Sequence, residues 1–196
     1  MRVAWVFFVA MACSGGDDSD DGSGTDDAST DTGTEDSTPD TSCPAPSVAM
    51  GTGLFGYEPI EEGQPLEMVY GDQGGWHFDL AAEIVGFGPE IAFEGGATVV
   101  SSGEVIARAE GAPLDFDLSL PGLASWDEDS CSGSFFAQRL FIDDVEAGTS
   151  TLIQRMCSLD QEDVTLTLDV VDPGTGTTYS DSVTVYARLD PNTPCP

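Results

Sequence analysis

Apolar and polar residues alternate with a period of two along most of the chain beyond residue 65, and turns rich in Gly, Pro, Asn and Asp interrupt the alternation. Because successive side chains of a strand point to opposite faces, this pattern predicts β-strands. In the clearest case, residues 76–85, the face predicted to point into the core carries Trp76, Phe78, Leu80, Ala82 and Ile84. The opposite face, predicted to point outward, carries His77, Asp79, Ala81, Glu83 and Val85.

Seven to nine short strands at roughly even spacing predict an all-β sandwich. Residues 66–70 and 76–85 are predicted to form a hairpin, and residues 91–101 one strand interrupted by a bulge at Gly95-Gly96. Residues 149–157 fit either a strand or a short helical turn. Residues 164–171 and 182–189 flank a Pro-Gly turn and are predicted to form a terminal hairpin.

This terminal hairpin resembles the last two strands of immunoglobulin-like and fibronectin-like domains of bacterial surface proteins. The resemblance covers residues 164–189, about a quarter of the domain. It implies an immunoglobulin-like β-sandwich and brings no particular activity with it.

The segment before residue 43 has a different composition. Residues 14–42 contain ten acidic residues, twelve Ser and Thr, five Gly and no Lys or Arg. With a single alanine as its only apolar side chain besides proline, the segment cannot bury enough surface to offset the entropy of ordering. We expect residues 13–42 to be a disordered acidic tether and residues 43–196 to be the folded domain.

The first twelve residues form a short apolar leader. Arg2 precedes ten apolar residues, a length that suits a cleaved signal peptide and is too short to span a bilayer. Ala10-Met11-Ala12-Cys13 resembles the lipobox of bacterial lipoproteins, although Ala10 and Met11 depart from its usual residues. The resemblance implies signal peptide 1–12 and an acylated Cys13, with palmitate-type chains as the membrane anchor. An ordinary secretory signal followed by an incidental cysteine is the alternative.

Ser14 would follow the acylated cysteine, and in Gram-negative lipoproteins Asp at this place retains the protein in the inner membrane. The resemblance therefore implies a cell-envelope protein anchored in the outer membrane, on either its periplasmic or its exposed face.

The domain carries 26 Asp and Glu against four Arg, a formal charge of −22, and the whole chain has no Lys. Such a surface repels phosphates, so nucleic acid is excluded as a partner. Four cysteines in an exported domain predict two disulfides. Three pairings are open, and we favour Cys131–Cys157, which closes a local segment, together with Cys43–Cys195.

His77 is the only histidine of the chain, so any histidine-dependent site must include it. Asp72, Asp79 and Glu83 are its nearest carboxylates in sequence, which permits a metal site. The ordinary alternative is a half-exposed strand histidine bonded to a neighbour.

Three acidic loop clusters occur in the domain: 127–129, 143–146 and 160–163. Loops at the end of a sandwich bind calcium in many extracellular domains, and Asp127 and Asp129 are the candidate ligands; solvated charge is the alternative. Trp126 beside them is predicted to lie in a loop, where it would contact a protein or glycan ligand or act as a buried plug.

These observations predict a lipid-anchored envelope protein whose domain has a non-enzymatic binding or structural role, with no cofactor other than calcium. Two alternatives stay open. One is an envelope enzyme that uses paired carboxylates or a metal, and the other is a periplasmic metal-binding protein in which His77 converges with Met68 or cysteines.

Overall fold

A computed structural model describes residues 43–71, 75–108, 113–142 and 149–191, together with Thr193 and Cys195. The predicted leader and tether lie outside these residues. Eleven strands and one helix occur in the described part, more strands than the seven to nine expected. In chain order they are β1 Ser47–Thr52, β2 Glu58–Pro59, β3 Pro65–Tyr70, β4 Trp76–Val85, β5 Glu90–Val99, β6 Val105–Arg108, β7 Leu114–Asp117, β8 Ala124–Asp127, β9 Ser132–Phe141, α1 Thr149–Leu159, β10 Asp163–Val171 and β11 Thr178–Leu189.

The strands form two layers. In the first layer β9 runs along one edge of β4, while β1 and β3 share the other edge; β2 extends β1, and β8 extends β9. In the second layer β10 lies between β11 and β5, and both β6 and β7 pair with the far edge of β5. The prediction of an all-β sandwich is therefore confirmed.

Strand β3 connects the two layers. Its first four residues pair in parallel with β11, and Val69 and Tyr70 then pair antiparallel with His77 and Trp76 of β4. The predicted hairpin between these strands is confirmed but contributes only two residue pairs. The predicted terminal hairpin, β10 with β11, is also confirmed and has nine pairs.

The core lies between the layers. Phe93 of β5 stacks on Phe135 of β9 with ring centroids 4.7 Å apart, so the second layer packs directly on the first. A Cβ atom at Gly95 would stand 3.2 Å from Leu80 Cδ1 and 3.5 Å from Leu140 Cδ1, so this glycine lets side chains of the first layer approach the backbone of β5.

The predicted bulge at Gly95-Gly96 is wrong with respect to β10. Strand β5 pairs continuously with β10 from Ala92 to Val99, and its register shifts only against β6, between Ala97 and Thr98. The two glycines serve close packing instead. A Cβ atom at Gly96 would stand 2.7 Å from the Thr167 hydroxyl on β10.

Residues 149–157, for which a strand or a helical turn was expected, belong to an eleven-residue helix, α1. Leu152, Met156 and Leu159 lie on one face of this helix and pack against the core. Their spacing of four and three residues is the helical repeat. An ion pair between Arg155 and Glu104 ties the exposed part of the helix to the segment before β6.

The disulfide pairing that we favoured is wrong, because the structure pairs Cys43 with Cys131 and Cys157 with Cys195. Gly86 explains the first bond. Its amide donates to the Cys131 carbonyl at 2.8 Å, and a Cβ atom at Gly86 would overlap the Pro44 carbonyl oxygen and Pro46, so the start of the domain meets the β8–β9 turn.

The end of the chain returns to helix α1, which explains the second bond. The Leu189 amide donates to Asp160 Oδ1 at 2.9 Å, just beyond the end of the helix. Cys157 in the last turn of α1 therefore lies within reach of Cys195.

Candidate functional site

The outward face of β4 is buried, contrary to the prediction that its residues point into solvent. His77 is 1% exposed, Asp79 8% and Ala81 0%, and only Glu83 at the far end is exposed. The cover comes from the β1–β2 connection. Thr52 Oγ1 donates to the Asp79 carbonyl at 2.7 Å, and the Gly53 carbonyl accepts from the Ala137 amide of β9 at 2.9 Å.

Because β1 and β9 flank β4 on opposite edges, this connection crosses over β4. A bulge in β9 makes the crossing possible. The register between β4 and β9 shifts between Leu80 and Ala82, and Ala137 has a φ of 55°, which turns its amide away from the β4 ladder.

His77 lies in a closed environment beside this crossing. Its Nε2 is 3.3 Å from Asp79 Oδ1, and its ring centroid is 5.6 Å from that of Phe141 on β9. The Gly71 backbone covers the ring, since a Cβ atom there would stand 3.2 Å from His77 Cε1. Strand register places Phe141 opposite His77 and Arg139 opposite Asp79, so the three polar side chains, His77, Asp79 and Arg139, are neighbours on one face.

Burial lowers the pKa of the His77 imidazole below its usual value of 6.5, and the positive charge of Arg139 lowers it further. The Asp79 carboxylate and the Gly75 carbonyl act in the opposite direction, but the net shift is downward. His77 is therefore neutral at neutral pH.

A nearly inaccessible imidazole cannot act directly on a substrate, so the burial of His77 argues against a histidine-centred enzyme. Asp72, the predicted carboxylate across the turn, lies outside the described residues. Met68 does not converge with His77: Met68 and Tyr70 share the face of Trp76, whereas His77 points to the opposite face of the sheet. All four domain cysteines are in disulfides. Within the described ranges, no three His, Cys, Asp or Glu side chains gather as a metal site.

The predicted calcium ligand Asp127 is engaged in its own turn. Its Oδ1 accepts from the Asp129 amide at 3.1 Å, and its Oδ2 accepts from the Ser130 hydroxyl at 2.8 Å. Calcium binding by Asp127 and Asp129 stays a prediction. In the 160–163 cluster, Asp160 accepts from Leu189, and Glu162 accepts from the Ser101 hydroxyl at 2.8 Å. The 143–146 cluster lies outside the described residues.

Trp126 lies in strand β8 and not in a loop as predicted. It is half-buried and packs against the core, and a Cβ atom at Gly133 would stand 2.8 Å from its Cε3 atom. Of the two interpretations left open for this residue, the packing favours the plug.

A shallow polar cleft lies on β10 and β11, lined by Thr167, Asp169, Ser180, Asp181 and Ser182. Asp181 connects the two layers beside it. Its Oδ2 accepts from the Met50 amide of β1 at 2.7 Å, while its Oδ1 accepts from the Ser182 amide at 2.8 Å. The carboxylate thus joins β1 of the first layer to β11 of the second.

Sequence reasoning missed the tip of the β1–β2 connection. Leu54 and Phe55, here called the apolar tip, are 50% and 95% exposed. The signal was present in Gly53-Leu54-Phe55-Gly56, two large apolar residues between two turn-forming glycines. The pair was not singled out because strand β1, which supports it, was not predicted.

No helix among the described residues combines the length and apolar character needed to cross a bilayer. No protein-family model matches the chain, and no curated protein matches it. A solved structure of the CooA pilin subunit from enterotoxigenic Escherichia coli is similar to this chain, with a TM-score of 0.34 and 10% sequence identity. The similar region covers 74% of this chain and 99% of the pilin chain. Because a TM-score this low does not establish a shared fold, nothing about function follows from the likeness.

Proposed function

We propose that this chain is a cell-envelope lipoprotein, anchored through acylated Cys13, whose β-sandwich works by binding and not by catalysis. The observation that carries the proposal is the pairing of all four domain cysteines in two disulfides. Disulfides persist in oxidising compartments outside the cytoplasm, which agrees with an export leader. Cys43, where the predicted tether ends, is itself bonded to Cys131, so a pull on the tether would act on a cross-linked part of the domain.

Two features of the domain support binding over catalysis. His77, the only histidine, is covered on the face where a substrate would have to approach. The apolar tip, in contrast, presents large side chains to solvent on a supported turn. The immunoglobulin-like subclass and the position in the outer membrane belong to the same proposal, and the second rests on Ser14.

The anchor is tested by producing the full chain in a Gram-negative host with an alkyne analogue of palmitate. The wild-type chain should incorporate the label and partition into detergent, whereas Cys13→Ser should do neither. Ser14→Asp should stay labelled but move from the outer to the inner membrane fraction. An unlabelled wild-type chain would contradict the anchor, and an unmoved Ser14→Asp variant would contradict the outer-membrane assignment.

A further inference from the structure

The apolar tip is the most exposed apolar feature of the described domain. Phe55 is 95% exposed, whereas the next most exposed large apolar side chains, Tyr70 and Leu120, are each 61% exposed. Scattered exposed apolar residues are normal on protein surfaces, so exposure alone decides nothing. What distinguishes Phe55 is the way in which its position is held.

Contacts on both sides fix the turn that carries the tip. On the β1 side, the Gly53 carbonyl accepts from the Ala137 amide at 2.9 Å, and the Thr52 hydroxyl donates to the Asp79 carbonyl at 2.7 Å. On the return, Gly51 pairs with Pro59 and Thr52 with Glu58. The turn is therefore bonded to three strands of the first layer, β2, β4 and β9.

Glycine is required in this turn for steric reasons. Gly53 has a φ of 128°, and a Cβ atom there would overlap the Gly56 carbonyl oxygen. At Gly51, a Cβ atom would overlap the Tyr57 ring. The turn is thus tightly closed beneath Leu54 and Phe55, which stand outside it. A backbone turn that is already held in its bound conformation loses less conformational entropy on binding.

The charge around the turn limits which partners can bind the apolar tip. Glu58 is exposed at the base of the turn. Burial raises the pKa of Tyr57, and the negative charges of the neighbouring Glu83 and Asp181 raise it further. The domain as a whole carries −22. An anionic bilayer and a second copy of the chain would both be repelled, whereas a basic surface would be attracted.

We propose that the apolar tip is the contact by which this domain binds a protein partner, and that the partner offers an apolar pocket with a basic rim. Phe55 fills the pocket, Leu54 packs at its mouth, and the carboxylates around the base of the turn face the rim. Aromatic side chains that enter desolvated pockets dominate the energetics of such interfaces. The inference rests on the proposed binding role and is independent of the lipid anchor.

The test begins with photocrosslinking in the cells that produce the chain. Benzoylphenylalanine is placed at position 55 of the full chain and, as the control, at position 120, which is also exposed. We expect a protein that crosslinks from position 55 and not from position 120. Crosslinks from position 55 only to a second copy or to lipid, or no crosslink at all, would overturn the proposal.

The crosslinked protein is then purified, and its Kd for the full chain is measured. Phe55→Ala should weaken binding at least tenfold, Phe55→Trp should retain it, and Leu120→Ala should leave it unchanged. Raising the salt concentration should weaken binding of the wild-type chain. Unchanged thermal unfolding of Phe55→Ala shows that folding is intact, as expected for a side chain without packing contacts.

Equal Kd values for the wild type and Phe55→Ala would overturn the inference but leave the proposed binding role intact through another surface. Loss of palmitate labelling would remove the anchor and leave this inference standing. The last experiment measures binding of the full chain to vesicles of phosphatidylethanolamine and phosphatidylglycerol. Vesicle binding that depends on Phe55 would overturn the proposal of a protein partner and indicate a membrane as the binding partner of the tip.

Discussion

Gly53 and Gly56 flank the same two apolar side chains, but their surroundings differ. Gly53 has a φ of 128° and no room for a Cβ atom, whereas a Cβ atom at Gly56 would meet nothing within 4 Å. We predict that Gly53→Ala lowers the free energy of unfolding by about 1–3 kcal/mol, the usual cost of forcing a side chain into such a conformation. Gly56→Ala, the matched control, should change it by less than about 0.5 kcal/mol. Urea unfolding measures both, and equal effects would contradict the described turn.

The lowered pKa of His77 predicts how the free energy of unfolding depends on pH. Its pKa is lowered by burial in the folded state, so the unfolded chain binds its proton at a higher pH than the folded chain does. The free energy of unfolding must therefore fall as the pH drops below about 6.5, by at most about 1.4 kcal/mol per pH unit from this group. Carboxylates contribute mainly at lower pH.

The variant His77→Asn keeps a polar side chain but removes the titration. We predict that the wild type loses more stability than this variant between pH 7 and pH 5.5, measured by urea unfolding at each pH. Parallel curves for the two proteins over this range would show that His77 does not titrate differently in the folded and unfolded states.

At the scale of elements, the two disulfides close loops of different length. Cys43–Cys131 spans 88 residues and Cys157–Cys195 spans 38. Replacing both cysteines of either pair by serine should cost about 2–5 kcal/mol, and loop entropy makes the longer loop costlier by about 0.7 kcal/mol. Peptide mapping without reduction should recover the two pairs. A Cys131–Cys157 peptide would contradict the fold around the β8–β9 turn.

The alternation of apolar and polar residues allowed β4 and the terminal hairpin to be predicted, because apolar residues at every second position indicate a strand with one face in the core. It could not predict that the other face of β4 is covered as well, since that depends on a distant bulge at Ala137. Strands β1, β2 and β8 were not predicted. β2 and β8 have only two and four residues, too few to show a period of two. β1 alternates only Val48 and Met50 with small residues, which is a weak pattern.

The disulfide pairing and the candidate site depended on contacts distant in sequence. Cys131 is close to Cys157 along the chain, but the fold brings the start of the domain to the β8–β9 turn and its end to helix α1. His77 could be selected from the sequence as the only histidine. The burial of His77 and the exposure of Phe55 could not be predicted, because both depend on the crossing of the β1–β2 connection over β4.

At the scale of the whole molecule, self-repulsion among 26 carboxylates opposes folding of the domain. We predict that sodium chloride raises the midpoint of thermal unfolding, because it screens this repulsion. Magnesium at equal ionic strength is the reference against which calcium is compared. An additional shift of several degrees with calcium, abolished by Asp127→Asn, would establish the calcium site suggested by Asp127 and Asp129.

The central claim is an acylated Cys13 that joins a disulfide-bonded domain to the membrane, and the intact mass of the mature protein tests it most directly. Protein extracted from host membranes with detergent should have the mass of a chain that begins at Cys13. The measured mass should include a diacylglyceryl group and lack four hydrogens because of the two disulfides. The mass of a chain that begins at another residue, or a mass without the lipid, would contradict the anchor, and four free thiols would contradict the fold.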